Sequence, residues 1–320
     1  MPRLKRVSPG SDNGLQRVRS GAGFRYLCQD GRPATPADRA RIDGLVIPPA
    51  WSDVWICASP RGHIQVVGTD EAGRRQYLYH PDWTARRERG KYDRALALAA
   101  ALPRARARVT RALNEPKDEQ EWVLAVAFRL LDLTALRVGS RRHLRRTGSR
   151  GLTTLQGRHV LEHESGVTLA FPGKSGKRQA VTVEDERMVE AIRELVGAPR
   201  AFLLRWREGR RYRSLTPEML NTYIGEVTGN SFSAKDFRTL TGTVLAAEAL
   251  ARAGVAASRR ERTAIERQTV QYCAQRLGNT VAVARRSYID PRVFERYRQG
   301  RLLDTQRSPG AAVRDLILGA

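Results

Sequence analysis

Apolar positions change their spacing as the chain proceeds. In the first quarter they come in short β-type runs: Phe24–Cys28, Val54–Ala58, His63–Val67 and Gln76–Tyr79. Their length and their β-branched and aromatic content are those of strands. Ser59-Pro60-Arg61-Gly62, between the second and third runs, is a hairpin turn sequence. Together they predict a small antiparallel sheet with one or two helices. Residues 1–23 ahead of it are polar, basic and rich in Gly and Ser, and are expected to be loosely ordered. The charged run Arg86–Lys91 is expected to be a linker.

Beyond that run the period lengthens. Across Asp118–Leu136, apolar residues at 122, 126, 130, 133 and 136 form one helical stripe. The period shortens again within 157–183. There Val167–Phe171 and Gln179–Val183 read as strands joined at a hairpin tip, Pro172-Gly173-Lys174-Ser175-Gly176-Lys177. Helical patterns are then expected to run to the end of the chain. Thr216-Pro217 has the form of an N-cap with proline in the first turn. Ser233-Ala234-Lys235-Asp236 has that of a capping box. Gly278 closes one helix, and Thr280 caps the next, which carries Tyr288 and ends before Pro291. The stretch after Ser308-Pro309-Gly310 is too short to assign. The expected fold is α+β: a small β-rich N-terminal domain over residues 1–89, then a larger, mostly helical domain with a small antiparallel sheet over residues 90–320.

Composition narrows the function. The 320 residues are 41% apolar, enough for packed cores in two domains. Basic residues outnumber acidic ones 57 to 33, a formal charge of +24. Such a field draws polyanions, of which DNA is the densest common one. Charge by itself also fits an arginine-rich protein with no nucleic-acid role. Cys28, Cys57 and Cys273 are far apart and lack CxxC spacing, which argues against a disulfide framework or zinc site. The basic start Met1-Pro2-Arg3-Leu4-Lys5-Arg6 has no apolar run behind it, unlike a signal peptide. No stretch has the length of a membrane span. A cytoplasmic, nucleoid-associated protein with no membrane partner is expected.

Gly173-Lys174-Ser175 has the look of a phosphate loop, but Thr168 stands where a glycine is required, and the segment lies between strands. His63, His80, His143, His159 and His163 show no ligand spacing, and the last two are expected at the surface. Carboxylates never cluster as a two-metal nuclease needs. With no metal and no cofactor expected, chemistry on a phosphodiester would have to run on side chains.

Such chemistry has three requirements. Fixed cations must hold the nonbridging oxygens, and arginine is planar, permanently charged and bidentate. A nucleophile must attack phosphorus, and a tyrosine hydroxyl can form the covalent intermediate. A proton donor must neutralise the leaving sugar oxygen. Four segments offer these groups. Arg137 follows the apolar helix. Lys174 sits at the hairpin tip. Lys235 and Arg238 lie three apart in the first turns of a capped helix, on one face. Asn279 stands nine residues before Tyr288. Singly, each is ordinary: a surface arginine, a turn lysine, a helix-ending asparagine, a core tyrosine. The signal is the ordered set.

The order Arg, Lys, Lys-x-x-Arg, Asn, Tyr resembles the type IB DNA topoisomerases, in particular the small poxvirus-like branch found in bacteria. Ile47-Pro48-Pro49-Ala50-Trp51 and Gly73-Arg74-Arg75-Gln76-Tyr77-Leu78-Tyr79-His80 are similar to its N-terminal domain. Thr147-Gly148-Ser149-Arg150-Gly151-Leu152-Thr153-Thr154-Leu155 and Leu277–Tyr288 are similar to its catalytic domain. The resemblance implies an isomerase in which Tyr288 forms a 3′-phosphotyrosyl bond. It also implies that Arg137 and Arg238 hold the nonbridging oxygens, Lys174 is the general acid and Asn279 is the fifth catalytic residue. Many relatives have His at that fifth place. Gln76, Tyr77 and Tyr79 fall at DNA-facing positions, as do Lys235, Ser140 and His143; the last two depart from the family's residue types. The implied partner is duplex DNA, clamped by both domains of a monomer, without ATP. Two other readings compete. A tyrosine recombinase shares the catalytic order but lacks the β-type N-terminal domain and usually has His where Lys235 stands. A DNA-coating protein would need only the charge.

Overall fold

The computed structural model describes residues 3–319. Met1 and Pro2, the head of the segment expected to be loosely ordered, lie outside the described residues, as does Ala320. The chain divides into two compact units, 1–90 and 91–320.

The first unit is a five-stranded antiparallel sheet. Its strands are β1 (Gly14–Ser20), β2 (Gly23–Cys28), β3 (Ser52–Cys57), β4 (Ile64–Thr69) and β5 (Arg75–Tyr79), in the order β2-β1-β3-β4-β5. Strands β3 and β4 are joined by the Ser59–Gly62 turn, as their sequence predicts. Helix α1 (Pro36–Asp43) packs Ile42 against Leu15, Val54, Ile56 and Val66 on one face; Val7, Cys57, Ile64 and Val67 bury the other. Strand β1 corrects the expectation for residues 1–23. Polar side chains hide it, but its register with β2 is continuous from Leu15↔Cys28 to Ser20↔Gly23. The segment before it is also tied down, because Lys5 N–H donates to the Arg61 carbonyl at 2.9 Å.

The charged run at 86–91 is not an extended linker: it lies inside helix α2 (Pro81–Asn114). Arg, Glu and Lys are good helix formers, so a charged run need not break a helix. In the second unit, α3 (Glu119–Thr134) forms as its stripe predicts, with Asp118 as N-cap. Every residue from Val123 to Phe128 is buried, and Phe128 meets Tyr223 and Phe237 edge-on. Helix α4 (Arg141–Thr147) follows. A three-stranded sheet comes next, β6 (Val160–His163), β7 (Gly166–Pro172) and β8 (Arg178–Val183), in the order β6-β7-β8. After α5 (Glu186–Leu195) the helical pattern is interrupted by the hairpin β9 (Arg205–Glu208) and β10 (Arg211–Ser214). Its charged residues mask the alternation.

The remaining helices are α6 (Pro217–Thr228), α7 (Ala234–Ala253), α8 (Arg259–Arg276), α9 (Val281–Ser287), α10 (Pro291–Arg298) and α11 (Pro309–Leu318). The last covers the unassigned tail and buries Ala312, Val313 and Ile317. The predicted caps form: Thr216 on α6, Thr280 on α9, and Asp236 accepting from Ser233 N–H at 2.8 Å on α7. His159 is buried rather than exposed, accepting at Nδ1 from Gln156 N–H at 2.9 Å. His163 is half-buried between Ser165 and Thr168. Among the described residues no helix is long and apolar enough to cross a membrane.

Candidate active site

Arg137 follows α3 on a loop held from two sides. Ala135, the helix C-cap, takes a left-handed conformation (φ 49°) that turns the chain away. The N–H groups of Leu152 and Thr153 donate to the carbonyls of Arg137 and Val138, each at 2.8 Å. Gly151 permits this approach, since a Cβ there would collide with the Arg137 carbonyl oxygen. The segment Thr147–Leu155 thus has a local task, to seat Arg137. It also reaches the β7–β8 hairpin, where Arg150 N–H donates to the Pro172 carbonyl at 2.8 Å.

Arg238 lies in the second turn of α7 and is 6% exposed. Its Nη2 donates to the Leu277 carbonyl at 2.7 Å and its Nη1 to the Ala135 carbonyl. Burial, aided by the charge of Arg137, brings its pKa down to about 10. It stays charged at neutral pH.

Tyr288 stands at the C-cap of α9 rather than within it, and is 9% exposed. The Arg238 guanidinium carbon lies 5.0 Å from its ring centroid. One turn beyond Arg238, Gly242 packs against the Tyr288 carbonyl so closely that a Cβ would come within 2.5 Å of it. The neighbouring Thr243 hydroxyl gives its proton to the Thr239 carbonyl (2.8 Å) and accepts from Asp290 N–H (3.1 Å). The backbone around Tyr288 is therefore seated on the helix that carries Arg238. Burial pushes the phenol's pKa up. The charge and hydrogen bonding of Arg238, then of Arg137, outweigh it, and the pKa lies below the ordinary tyrosine value.

Asn279 occupies the turn between α8 and α9, with its N–H on the Ala274 carbonyl at 2.8 Å. Its side-chain oxygen accepts from the Arg137 guanidinium. Arginine has no acceptor, so this contact orients the amide and leaves Nδ2 as the available donor. Among the described residues, Nδ2 of Asn279, Nε of Arg137 and Nε of Arg238 are buried without a hydrogen-bond partner. Arg137, Arg238, Asn279 and Tyr288, more than 150 positions apart at the extremes, meet in one place.

The other expected residues surround or lie apart from this centre. Lys174 is exposed in the tip between β7 and β8. Lys235 is exposed in the first turn of α7, whereas Arg238 is buried. The Ser140 hydroxyl caps α4 by accepting from His143 N–H at 3.2 Å, and both residues are half-buried. On β5 of the first unit, Tyr77 and Tyr79 are exposed and stacked, with ring centroids 6.0 Å apart. Gln76 lies on the opposite face of that strand with Leu78, and its Nε2 donates to Asp70 at 2.8 Å. Residues one apart on a strand alternate faces, so Gln76 does not share the tyrosines' surface.

The description "Eukaryotic DNA topoisomerase I, catalytic core" matches residues 80–306, and "Bacterial DNA topoisomerase IB, N-terminal domain" matches residues 23–70. The chain belongs to the type IB DNA topoisomerases. This topoisomerase is 30% identical over 298 residues to DNA topoisomerase 1B of Acanthamoeba polyphaga mimivirus, covering 89% of this chain and 87% of that one. The bacterial-type N-terminal domain separates it from a tyrosine recombinase, and the catalytic-core match from a DNA-coating protein.

Three residues of the topoisomerase's site escaped the sequence reading. Gly242 lies four residues past Arg238, the spacing that returns to the same helix face, and Thr243 follows it. Gln179 is a polar residue in the inward row of β8, ahead of Val181 and Val183. Both spacings are visible in the sequence, but what they face is not.

Proposed function

We propose that the enzyme relaxes supercoiled duplex DNA by cutting one strand, letting it swivel about the other, and resealing it, without a nucleotide or a metal ion. The Tyr288 Oη–phosphorus bond forms as the phosphorus–O5′ bond breaks. The phenol's proton passes to water in the attack, and Lys174 gives a proton to O5′. The products are a 3′-phosphotyrosyl ester and a 5′-hydroxyl end. Arg137 and Arg238 hold the nonbridging oxygens, and Asn279 donates to one of them through Nδ2. The ester conserves the bond energy, so resealing needs only the reverse step.

One observation carries this reading. Among the described residues, two buried arginines with an unpartnered Nε each act on a tyrosine whose pKa is held below its ordinary value, and Asn279, with an unpartnered Nδ2, is bonded to one of them. Preorganised donors of this kind stabilise charge that develops on a phosphoryl group.

The enzyme acts on this reading as a cytoplasmic monomer whose two domains, 1–89 and 90–320, clamp the duplex. The formal charge of +24 and the outward-facing Tyr77 and Tyr79 support that placement. Lys235, Ser140 and His143 contact the DNA from the catalytic domain. Gln76, turned to the other face of β5 and bonded to Asp70, is left out of this contact surface.

Denaturant-quenched mixtures with labelled duplex test the chemistry. The parent protein should give a covalent adduct on Tyr288 and relax plasmid without ATP or magnesium. Tyr288→Phe should give neither while still binding DNA, because only the nucleophilic oxygen is gone. Residual relaxation by that variant would place the nucleophile elsewhere.

A further inference from the structure

We propose that Gln179 is a positioning residue for Lys174, docking the hairpin onto the turn that presents Asn279. The inference rests on the general-acid role proposed above for Lys174.

Strands β7 and β8 pair Val167 with Val183, Leu169 with Val181 and Phe171 with Gln179. Val167, Leu169, Phe171 and Val183 are buried, so this row faces the core, and Gln179 ends it next to the tip. A glutamine there breaks an apolar row. Its surroundings explain it. A Cβ on Gly173, the first residue of the tip, would come within 2.5 Å of Gln179 Cγ. A Cβ on Gly278 would fall inside the Gln179 amide. Two glycines thus open space for one side chain, one on the hairpin and one in the α8–α9 turn. Gly278 adopts φ +58°, a conformation that itself favours glycine, and the next residue is Asn279.

The contacts form a continuous path from the Lys174 tip through Gln179 to Gly278, Asn279 and Arg137. A proton donor works only within hydrogen-bond reach of the atom it serves. Lys174 is exposed on a short tip, so its reach depends on where the hairpin is held. Arg150 N–H holds the hairpin at Pro172, before the tip; Gln179 holds it after the tip, against the catalytic turn. Truncating Gln179 removes the second support and leaves the phosphate-holding groups in place.

Single-turnover cleavage of two duplexes tests this, one with oxygen and one with sulfur at the bridging 5′ position. Sulfur is a better leaving group and needs no acid. The readout is each variant's ratio of sulfur to oxygen rate, which does not depend on the fraction of protein folded. Lys174→Ala should raise this ratio sharply over the parent. Gln179→Ala should raise it on the order of 10- to 100-fold, since displacement of a reacting group by about 1 Å costs rate on that scale. Adding Gln179→Ala to Lys174→Ala should leave the ratio of the single Lys174 variant unchanged, because both act at one step. If Lys174→Ala raises the ratio and Gln179→Ala does not, the positioning role is wrong. If Lys174→Ala itself fails to raise the ratio, the general-acid assignment falls and this inference with it.

Discussion

The side-chain oxygen of Asn279 accepts a hydrogen bond from Arg137, and Nδ2 of the same amide is buried without a partner. Arg137 thereby orients the amide, whose Nδ2 is the donor to the phosphate on the proposed mechanism. Removing one preorganised donor to a developing anion costs on the order of 10²–10³ in rate. Asn279→Ala should slow single-turnover cleavage within that range and leave noncovalent DNA affinity unchanged. Asn279→His should keep substantial activity, since an imidazole N–H can occupy the same region. Cleavage by Asn279→Ala at the parent rate would remove Asn279 from catalysis.

Arg238 is the chief source of the charge that lowers the Tyr288 pKa against the opposing effect of burial. With Arg238→Ala the burial penalty remains and the largest compensating charge is gone, so the phenol's pKa should rise. Ultraviolet titration of tyrosinate, with the Tyr288→Phe background subtracted, should show the midpoint moving to higher pH. An unchanged midpoint would contradict the electrostatic account.

His159 supplies a test of stability rather than catalysis. Burial, then the charges of Arg150 and Arg158, lower its pKa from 6.5 to about 4. Its Nδ1 accepts a hydrogen bond that an imidazolium could not accept. Between about pH 6.5 and 4 the unfolded chain binds a proton that the folded protein does not. Stability should therefore fall as pH drops through that window, by roughly 3 kcal/mol in full at about 1.4 kcal/mol per pH unit. The urea-unfolding free energies of the parent and His159→Gln should converge by about that amount between pH 7 and pH 4. A constant difference would show that His159 titrates normally.

The DNA interface should appear in the salt dependence of binding. Each neutralised phosphate contributes a slope of about −0.9 in log affinity against log salt. A clamp lined by lysine and arginine should give a slope several times that value, reduced by about one unit of contact when Lys235 is replaced by Ala. A nearly flat response would count against enclosure of the duplex.

How much of this was legible in the sequence depended on where the signal lay. Caps on α6, α7 and α9 could be read because an N-cap is local chemistry. The stripe of α3 could be read because one helix face carries it. Strand β1 was hidden because its segment is polar and basic. The charged α2 segment reads as a linker because a run of charges with a glycine carries no apolar stripe to mark the helix. In the site, Arg137, Arg238, Asn279 and Tyr288 could be named from their order, but not their contacts. Nothing local in Asn279 says that its oxygen faces Arg137. Gly242 and Gly278 read as a helix residue and a helix stop, and only the tertiary approach of Tyr288 and Gln179 shows why a side chain is excluded.

The seat of Tyr288 on α7 also has a mechanical meaning. On the proposed mechanism, the covalent intermediate tethers a strand under torsional load to this one side chain. Helix α9, which leads to it, is seven residues long and would be a poor anchor alone. Gly242 meets the Tyr288 carbonyl, and Thr243 holds Asp290 N–H just beyond it. Tension on the tether therefore passes into the 20-residue α7, packed in the core and carrying Arg238. On that mechanism nucleophile and phosphate clamp yield together, and the geometry needed for resealing travels with the load.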